Sequence, residues 1–479
     1  MASEKNIAFD LGAQSVGAAV FATGKRGELI LNSYTSSELL ADPSADGSRL
    51  EYTQAAVGEL RKSLKLKQGD PIRYSISSQS VFTRFVTLPP LDVDQVDQIV
   101  GFEAQQQIPF PIEDAVWDYQ TLGDPDDIEV EVVLVAIKAS DLEQVDNTMR
   151  HNGLETKVVD LAPMALYNAY RYNYPDIDQP VLLVDIGART TNLIYLEGRK
   201  VFVRTVPFGG RELTSAIAKE FDVSFQDAEE RKIQDGFVAL GGGYADHEDP
   251  EIAAMSKVIR NASTRLHSEI VRTNNFYRSN QNGTPPTMAF LCGAGAGLPY
   301  LNEFLQEKLK INVAYFDALR NVALGKRVDE AALKPNSHAM GELVGLGLRG
   351  TGVCPMELEL VPRIVQRERD IVKRSPFLWL AGISAAFMMG ATGFWFQRAS
   401  AFAVSETAKV NQEISLLEGF AGKINEQQER LTKVEQRANP YFEASIGRVY
   451  WITTFLALNE AMVNDLSLIH ISEPTRLRS

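Results

Sequence analysis

The stretch Pro376–Phe396, PFLWLAGISAAFMMGATGFWF, contains no charged residue and is closed by Lys373 and Arg374 on one side and Arg398 on the other. As a helix rising about 1.5 Å per residue it is roughly 30 Å long, the thickness of a bilayer's hydrocarbon core. A buried core helix is the alternative, but soluble core helices rarely run this far without a polar face. Phe377, Trp379, Phe394 and Trp395 lie near its ends, where interfacial aromatics concentrate. A membrane span over 376–396 is therefore expected. Arg363, Arg367, Arg369, Lys373 and Arg374 crowd its N-terminal flank, whereas after Arg398 the next basic residue is Lys409. The positive-inside rule then places the N-terminal part in the cytoplasm and the C-terminal part outside. No signal peptide is expected, since MASEKNIAFD leads directly into a strand pattern.

A chain of 479 residues has room for two or three domains, and its net charge of −14, without a basic stripe, argues against a nucleic-acid partner. Cys292 and Cys354 supply neither a disulfide framework nor a zinc set. His151, His247, His267, His338 and His470 are scattered, which gives no support to a His-centred triad. The end, Leu466–Ser479 (LSLIHISEPTRLRS), reads as a translated sequencing adapter, so the native chain is expected to continue past Asp465.

Three stretches carry the chemistry. NIAFDLGAQSVGAAVF (Asn6–Phe21) is an apolar strand ending in Asp10-Leu11-Gly12, a turn and a second strand. The pattern returns at Val181–Gly210, where a strand ends in Asp185-Ile186-Gly187 and Thr190-Thr191 follow. Each alone reads as a β-hairpin turn. As a distant internal repeat, the pair suggests two similar halves facing a cleft, with backbone N–H groups holding a polyphosphate from both sides. Asp10 and Asp185 would orient Mg²⁺ and its waters, a hard ion that prefers oxygen ligands. The third stretch, MAFLCGAGAGLPYLNEFL (Met288–Leu305), reads as strand, glycine run (Gly293, Gly295, Gly297) and helix. A dinucleotide fingerprint fails there, because Leu298 occupies the third glycine position.

At these stretches the chain resembles the actin-like ATPase superfamily, and more narrowly the PilM family of type IV pilus assembly proteins over roughly residues 5–350. FTRFVTLPPL, FEAQQQIPFPIEDAVWDY, FGGRELTSAIAKEFDVSFQDAEERK and EIVRTNNFYRSN carry the narrower likeness. The resemblance implies an α/β, actin-like duplicated nucleotide-binding domain over 1–350, with an inserted small α+β subdomain at about 72–155. It implies ATP or ADP with Mg²⁺ as ligand: Asp10, Gly12 and Ser15 on one phosphate side, and Asp185, Gly187, Thr190 and Thr191 opposite. Gly209, Gly210, Glu229, Lys232, Gly293, Gly295 and Gly297 would surround the sugar and base. Glu229 and Lys232 also read as charges three apart on an exposed helix.

Two departures from the family pattern bear on mechanism. The first loop often ends in a lysine, and here reads Gln14-Ser15-Val16-Gly17; the inter-lobe turn often carries Glu-Pro, and here reads Ala162-Pro163. Without a phosphate cation and a water-orienting acid, slow or absent hydrolysis is expected. No catalytic residue is assigned.

Past Gly350 the chain resembles the cytoplasmic tail of PilN. Residues 351–375 form the juxtamembrane tail, and Leu358–Pro362 (LELVP) stands where a docking motif would seat in cis; a plain juxtamembrane linker is the alternative. Beyond the span, Ile414, Leu417, Ala421, Ile424, Gln428 and Leu431 form a short heptad seam within 399–438, expected as a coiled coil that Pro440 stops, or else a solvated single helix. Residues 440–465 resemble the start of a periplasmic domain. The resulting expectation is a single-pass bacterial inner-membrane scaffold with PilN/PilO/PilP-like partners, a cytoplasmic pilus motor ATPase and a possible homo-oligomeric state. A GspL-like secretion protein and an FtsA-like filament protein are the rivals; a sugar kinase lacks its catalytic acid.

Overall fold

Strand β1 (Asn6–Leu11) is buried at nearly every position, so it lies inside a sheet rather than at an edge. With β2 (Ser15–Thr23) and β3 (Leu29–Glu38) it forms an antiparallel meander, and α1 (Asp46–Ser63) returns the chain to lay β4 (Pro71–Ile76) parallel to β1. A small sheet is inserted next: β5 (Phe82–Leu88), α2 (Val93–Gln107), β6 (Ala115–Leu122) and β7 (Val130–Lys138), with β7 in the middle. Val132, Leu134 and Ala136 alternate onto one face against Val100 and Ala104 of α2, giving the insert its own core. Helix α3 (Ala139–His151) leads to β8 (Glu155–Leu161), parallel to β4, and α4 (Ala162–Asn173) begins at Ala162. The inserted sheet is narrower than the expected 72–155. Ile72 and Tyr74 of β4, with Leu142 and Met149 of α3, belong to the core of the first lobe, and β4 pairs with β1 in its sheet.

The second lobe repeats the plan. Strands β9 (Val181–Ile186), β10 (Thr191–Glu197) and β11 (Lys200–Val206) form a meander, followed by α5 (Gly210–Phe221), α6 (Phe225–Asp235) and α7 (Pro250–Asn280). Then β12 (Met288–Cys292) lies parallel to β9, and β13, after α8 (Leu301–Leu309), parallel to β12; β13 spans Asn312–Tyr315. Every residue of β9 is buried, as expected for a strand covered on both faces. In each lobe's own count the five principal strands follow the order 3-2-1-4-5, so the duplication read from the two Asp-x-Gly strands is real. The chain returns to the first lobe through β14 (Ala323–Leu324), α9 (Glu330–Leu333) and α10 (Gly341–Leu348).

Helix α10 packs tightly on α4. A Cβ at Gly345 would lie 1.8 Å from the Ala165 carbonyl oxygen. Gly345→Ala is therefore expected to cost stability at the upper end of about 1–3 kcal/mol, read from chemical denaturation.

The structure is a computed structural model describing residues 5–442 and 454–461, except 26, 40–45, 89–92, 123–129, 242–246 and 353. The adapter-like 466–479 and most of 440–465 lie outside the described residues. Residues 1–372 and 373–479 are separate compact units. Helix α11 (Arg363–Phe442) runs through 376–396, where every residue is exposed. None of its most apolar window is buried within the chain, so it is no core helix, and by length and composition it is able to cross a membrane. As described it runs to Phe442, two residues past Pro440, where the sequence placed its stop. Ile414, Leu417, Ile424 and Leu431 of the heptad seam are exposed.

Candidate functional site

The two Asp-x-Gly strands place their aspartates at equivalent points. Asp10 lies between Gly17 of β2 and Ser75 of β4, and Asp185 between Asn192 of β10 and Cys292 of β12. Each hairpin turn closes on itself: a Cβ at Gly12 would meet the Ser15 carbonyl at 2.6 Å, and the Gly187 N–H donates to the Thr190 carbonyl at 2.9 Å. Gly209 sits on the second turn, where a Cβ would lie 2.6 Å from the carbonyl oxygens of Gly187 and Ala188, and the Gly210 N–H donates to Gly187. Gly293 has φ +79°, and a Cβ there would lie 2.5 Å from Asp185 Oδ1. Gly295 packs on Ile186, while Gly297 faces His338. The structure thus gathers Asp185, Gly187, Gly209, Gly210, Gly293 and Gly295 into one corner. Thr191 belongs to the scaffold, its hydroxyl donating to the Phe208 carbonyl at 2.8 Å.

Between the aspartates stands a residue that the motifs did not point to. Glu342, at the start of α10, accepts from Ser75 Oγ at 2.9 Å, and the same hydroxyl lies 3.4 Å from Asp10 Oδ1. Burial, then the Asp10 and Asp185 charges, push Glu342 well above the ordinary carboxylate range. Burial also raises Asp10. Asp185 is pushed up to about 6 by burial, with the Asn192 amide donating to it at 2.8 Å and Asp10 nearby. Among the described residues no lysine or arginine pairs with any of these three acids. A Cβ at Gly17 would lie 3.2 Å from Leu343 Cδ1, so α10 packs closely on this position.

On the other side of the cleft, Glu229 and Lys232 form an ion pair of 2.7 Å that is mostly buried, not two solvated charges. Glu229 also accepts from Thr214 and, at 3.0 Å, from the Gln14 amide at the first hairpin's tip. Lys232, with the hydrogen bonds from Thr214 and Gln14, holds Glu229 below the usual carboxylate range against the effect of burial. Gln14 and Glu229 therefore bridge the two lobes.

The donor set fits a hydrated hard cation. Asp10 and Asp185 stand at the ends of the two equivalent hairpins, near enough for the charge of one to act on the other. Among the described residues no three His, Cys, Asp or Glu side chains form a metal cage.

A second constellation lies where the inserted sheet meets the first lobe. Residues 356–362 run between them as an extended segment, with Met356, Leu358, Leu360 and Val361 buried. The Leu360 N–H donates to Val159 at 3.0 Å, while Glu357 and Glu359 N–H groups donate to Gln120 and Asp118 of β6 at 2.7 and 2.8 Å. Asn168 bonds both the N–H and the carbonyl of Met356. Arg349, just after α10, donates to the carbonyls of Met356, Glu357 and Leu358. At its other edge its Nε lies 3.4 Å from Asp160 Oδ2, an ion pair rather than a well-formed hydrogen bond. Arg369 reaches the Lys157 carbonyl and Glu359, and Glu368 faces Arg150.

Burial raises Asp160 to about 6 despite Arg349. A raised carboxylate pKa favours the fold when protonated: that contribution is complete below about 3.8 and is lost as pH rises through about 6. The stability difference between the parent and Asp160→Asn should accordingly shift by roughly 3 kcal/mol against the parent from pH 4 to 7, as measured by urea titrations.

A family model described as type IV pilus assembly protein PilM matches residues 8–351. A solved PilM–PilN type IV pilus biogenesis complex is 24% identical, covers 73% of this chain and 99% of its own, and superposes with a TM-score of 0.61. MreB5 of Spiroplasma citri bound to ADP is 12% identical over 71% of this chain and 94% of its own, with a TM-score of 0.38. The cytoplasmic domain of EpsL of Vibrio cholerae, an inner-membrane component of type II secretion, is 12% identical over 46% of this chain and 77% of its own, with a TM-score of 0.29.

Proposed function

This chain belongs to the type IV pilus assembly protein PilM family and has its actin-like ATPase fold, and on that premise we propose that its cleft binds ATP or ADP with Mg²⁺ as a conformational ligand within an inner-membrane pilus platform. What supports this is the pair of hairpins that set Asp10 and Asp185 at equivalent points of two like sheets, near enough that the Asp10 charge raises Asp185. The turns of Gly12 and Gly187 would take the phosphates and Asp10 and Asp185 the hydrated ion. Glu229, held by Lys232, Thr214 and Gln14, presents a carboxylate for ribose hydroxyls. Gly209, Gly210, Gly293, Gly295 and Gly297 leave room for the nucleoside. A bound Mg²⁺ would neutralise phosphate charge.

Hydrolysis is slow or absent in this reading, because α4 opens with Ala162 and Gly17 offers no cation. The helix over 376–396 spans the bacterial inner membrane with the nucleotide domain in the cytoplasm. Residues 356–362 play in cis the role of a PilN-like tail, and PilN/PilO/PilP-like proteins and a cytoplasmic motor ATPase are its partners. Fluorescent ATP titrated into the detergent-solubilised chain tests the reading. It should bind saturably and only with Mg²⁺, with turnover far below the roughly 1 per second at which ordinary enzymes begin. Absence of binding, or turnover at an ordinary rate, contradicts it.

A further inference from the structure

The two ends of the first lobe's sheet differ in charge. Asp10 of β1 aligns with Ser75 of β4 at the end where the acids gather. At the other end Asn6 of β1 aligns with Phe21 of β2, Ile7 with Ile72 of β4, and Pro71 with Glu155 of β8. The segments that reach this second end are basic. Lys5 precedes β1, Lys25 sits in the turn between β2 and β3, and Arg61, Lys62, Lys65 and Lys67 lead from the last turn of α1 toward β4. Glu28, Asp70 and Glu155 stand among them, and Asp70 accepts from the Lys67 N–H at 2.8 Å.

The loop after α1 is fixed by its backbone. The Lys65 N–H donates to the Lys62 carbonyl at 3.1 Å and the Leu66 N–H to the Arg61 carbonyl at 3.0 Å. Lys65 has φ +52°, the left-handed conformation that glycine usually supplies at such a helix end. Leu66 is buried in the first lobe's core, while Lys65 and Lys67 on either side of it are exposed. The Gly69 N–H donates to the Gly153 carbonyl at 2.8 Å and the Glu155 N–H to the Asp70 carbonyl at 3.1 Å, which ties the loop to the start of β8.

The stretch that leads to the apolar helix runs along the same edge. β8 is the outermost strand of its sheet. The Leu360 N–H donates to Val159; Arg369 then reaches the Lys157 carbonyl, two residues nearer the start of β8, and Glu368 meets Arg150 in the last turn of α3. From 360 to 369 the chain thus travels toward the basic end. Pro376 follows Arg369 by seven residues, which span about 25 Å at most when fully extended and about 10 Å as helix.

We infer that the basic end of the first lobe is a docking surface for anionic phospholipid headgroups. The inference rests on the reading of 376–396 as a membrane span and adds a lipid partner to it. A chain of net charge −14 is repelled as a whole by an anionic leaflet, and a basic end reverses that sign locally. Each basic residue brought to such a surface strengthens binding about fivefold. The short connection to the span holds this end near the headgroups, so that a few charges suffice.

The test places the full chain in nanodiscs of phosphatidylcholine alone or mixed with phosphatidylglycerol. Acylation of single lysines by a water-soluble reagent is read by mass spectrometry. Phosphatidylglycerol should slow the reaction of Lys5, Lys25, Lys62, Lys65 and Lys67 about fivefold. Molar salt, which shortens screening to about 3 Å, should abolish the difference. Lys310 in the second lobe, exposed and with φ +56°, should react equally in both lipids. In Lys62→Gln/Lys65→Gly/Lys67→Gln the protection of Lys5 and Lys25 should also be lost, with the melting temperature equal or higher because glycine suits the backbone at 65. Equal acylation in both lipids, slowing that salt does not reverse, or protection of Lys25 that survives the triple substitution overturns the inference.

Carbonate extraction keeps the two readings apart. If the chain leaves the bilayer in carbonate, the span falls, and the docking surface is judged by flotation of the unanchored chain with vesicles. Binding to phosphatidylglycerol vesicles at least about tenfold stronger than that of the triple variant supports the surface; equal binding overturns it.

Discussion

Arg349→Ala should destabilise the cytoplasmic unit by about 3–5 kcal/mol, the cost of leaving a buried charge without its partner. Asp160 is buried beside it and ionised at neutral pH, and Arg349 is the cation facing it. The substitution also strips three tail carbonyls of their donor. Asp160→Asn separates the two effects: in Arg349→Ala/Asp160→Asn the orphaned charge is gone but the carbonyls remain unbonded. The double variant should therefore recover much of the stability, while the amides of 356–362 stay open to exchange. Chemical denaturation reads the first quantity and exchange the second. Full recovery of both would mean that Arg349 acts on the fold alone.

Asp185→Asn should lower Mg²⁺–nucleotide affinity at least 100-fold while leaving thermal stability equal or higher. The sign of the second effect follows from burial. Asp185 is pushed up to about 6, so at neutral pH its charge opposes the fold. An amide removes that cost. Losing function while gaining stability marks a group kept for its ligand rather than for packing. Calorimetric titration of the variant against Mg²⁺–ADP, beside a thermal melt, gives both numbers. A variant that melts earlier yet binds normally would place Asp185 in the scaffold.

Much of this was legible in the sequence because local pattern and tertiary role coincide. Asp10-Leu11-Gly12 and Asp185-Ile186-Gly187 read as strand ends followed by turns, and the structure makes them hairpins at equivalent points of two like sheets. Residues 358–362 left docking and a plain linker open on pattern alone, and only the resemblance to a PilN tail favoured docking; in the structure Leu358, Leu360 and Val361 are buried. Glu342 was not, although it is the one charge in the helix GELVGLGL, a signal that could have been weighed. Its partner Ser75 lies 267 residues away, beyond any local pattern. Asn192, Gln14 and Thr214 escaped for the same reason: single polar residues in strands, turns and first helical turns are common, and only the fold shows that they converge on Asp185 and Glu229. The expected insert took in β4 and α3, which pack with the first lobe; which sheet a strand such as β4 joins depends on pairing, not composition.

The most direct measurement is a structure of the full chain determined with Mg²⁺ and ADP at saturating concentration. Density for the nucleotide should lie between the Gly12 and Gly187 turns, with the ion and its waters at Asp10 and Asp185 and residues 356–362 still seated. An empty cleft, or nucleotide bound elsewhere on the molecule, would contradict the account.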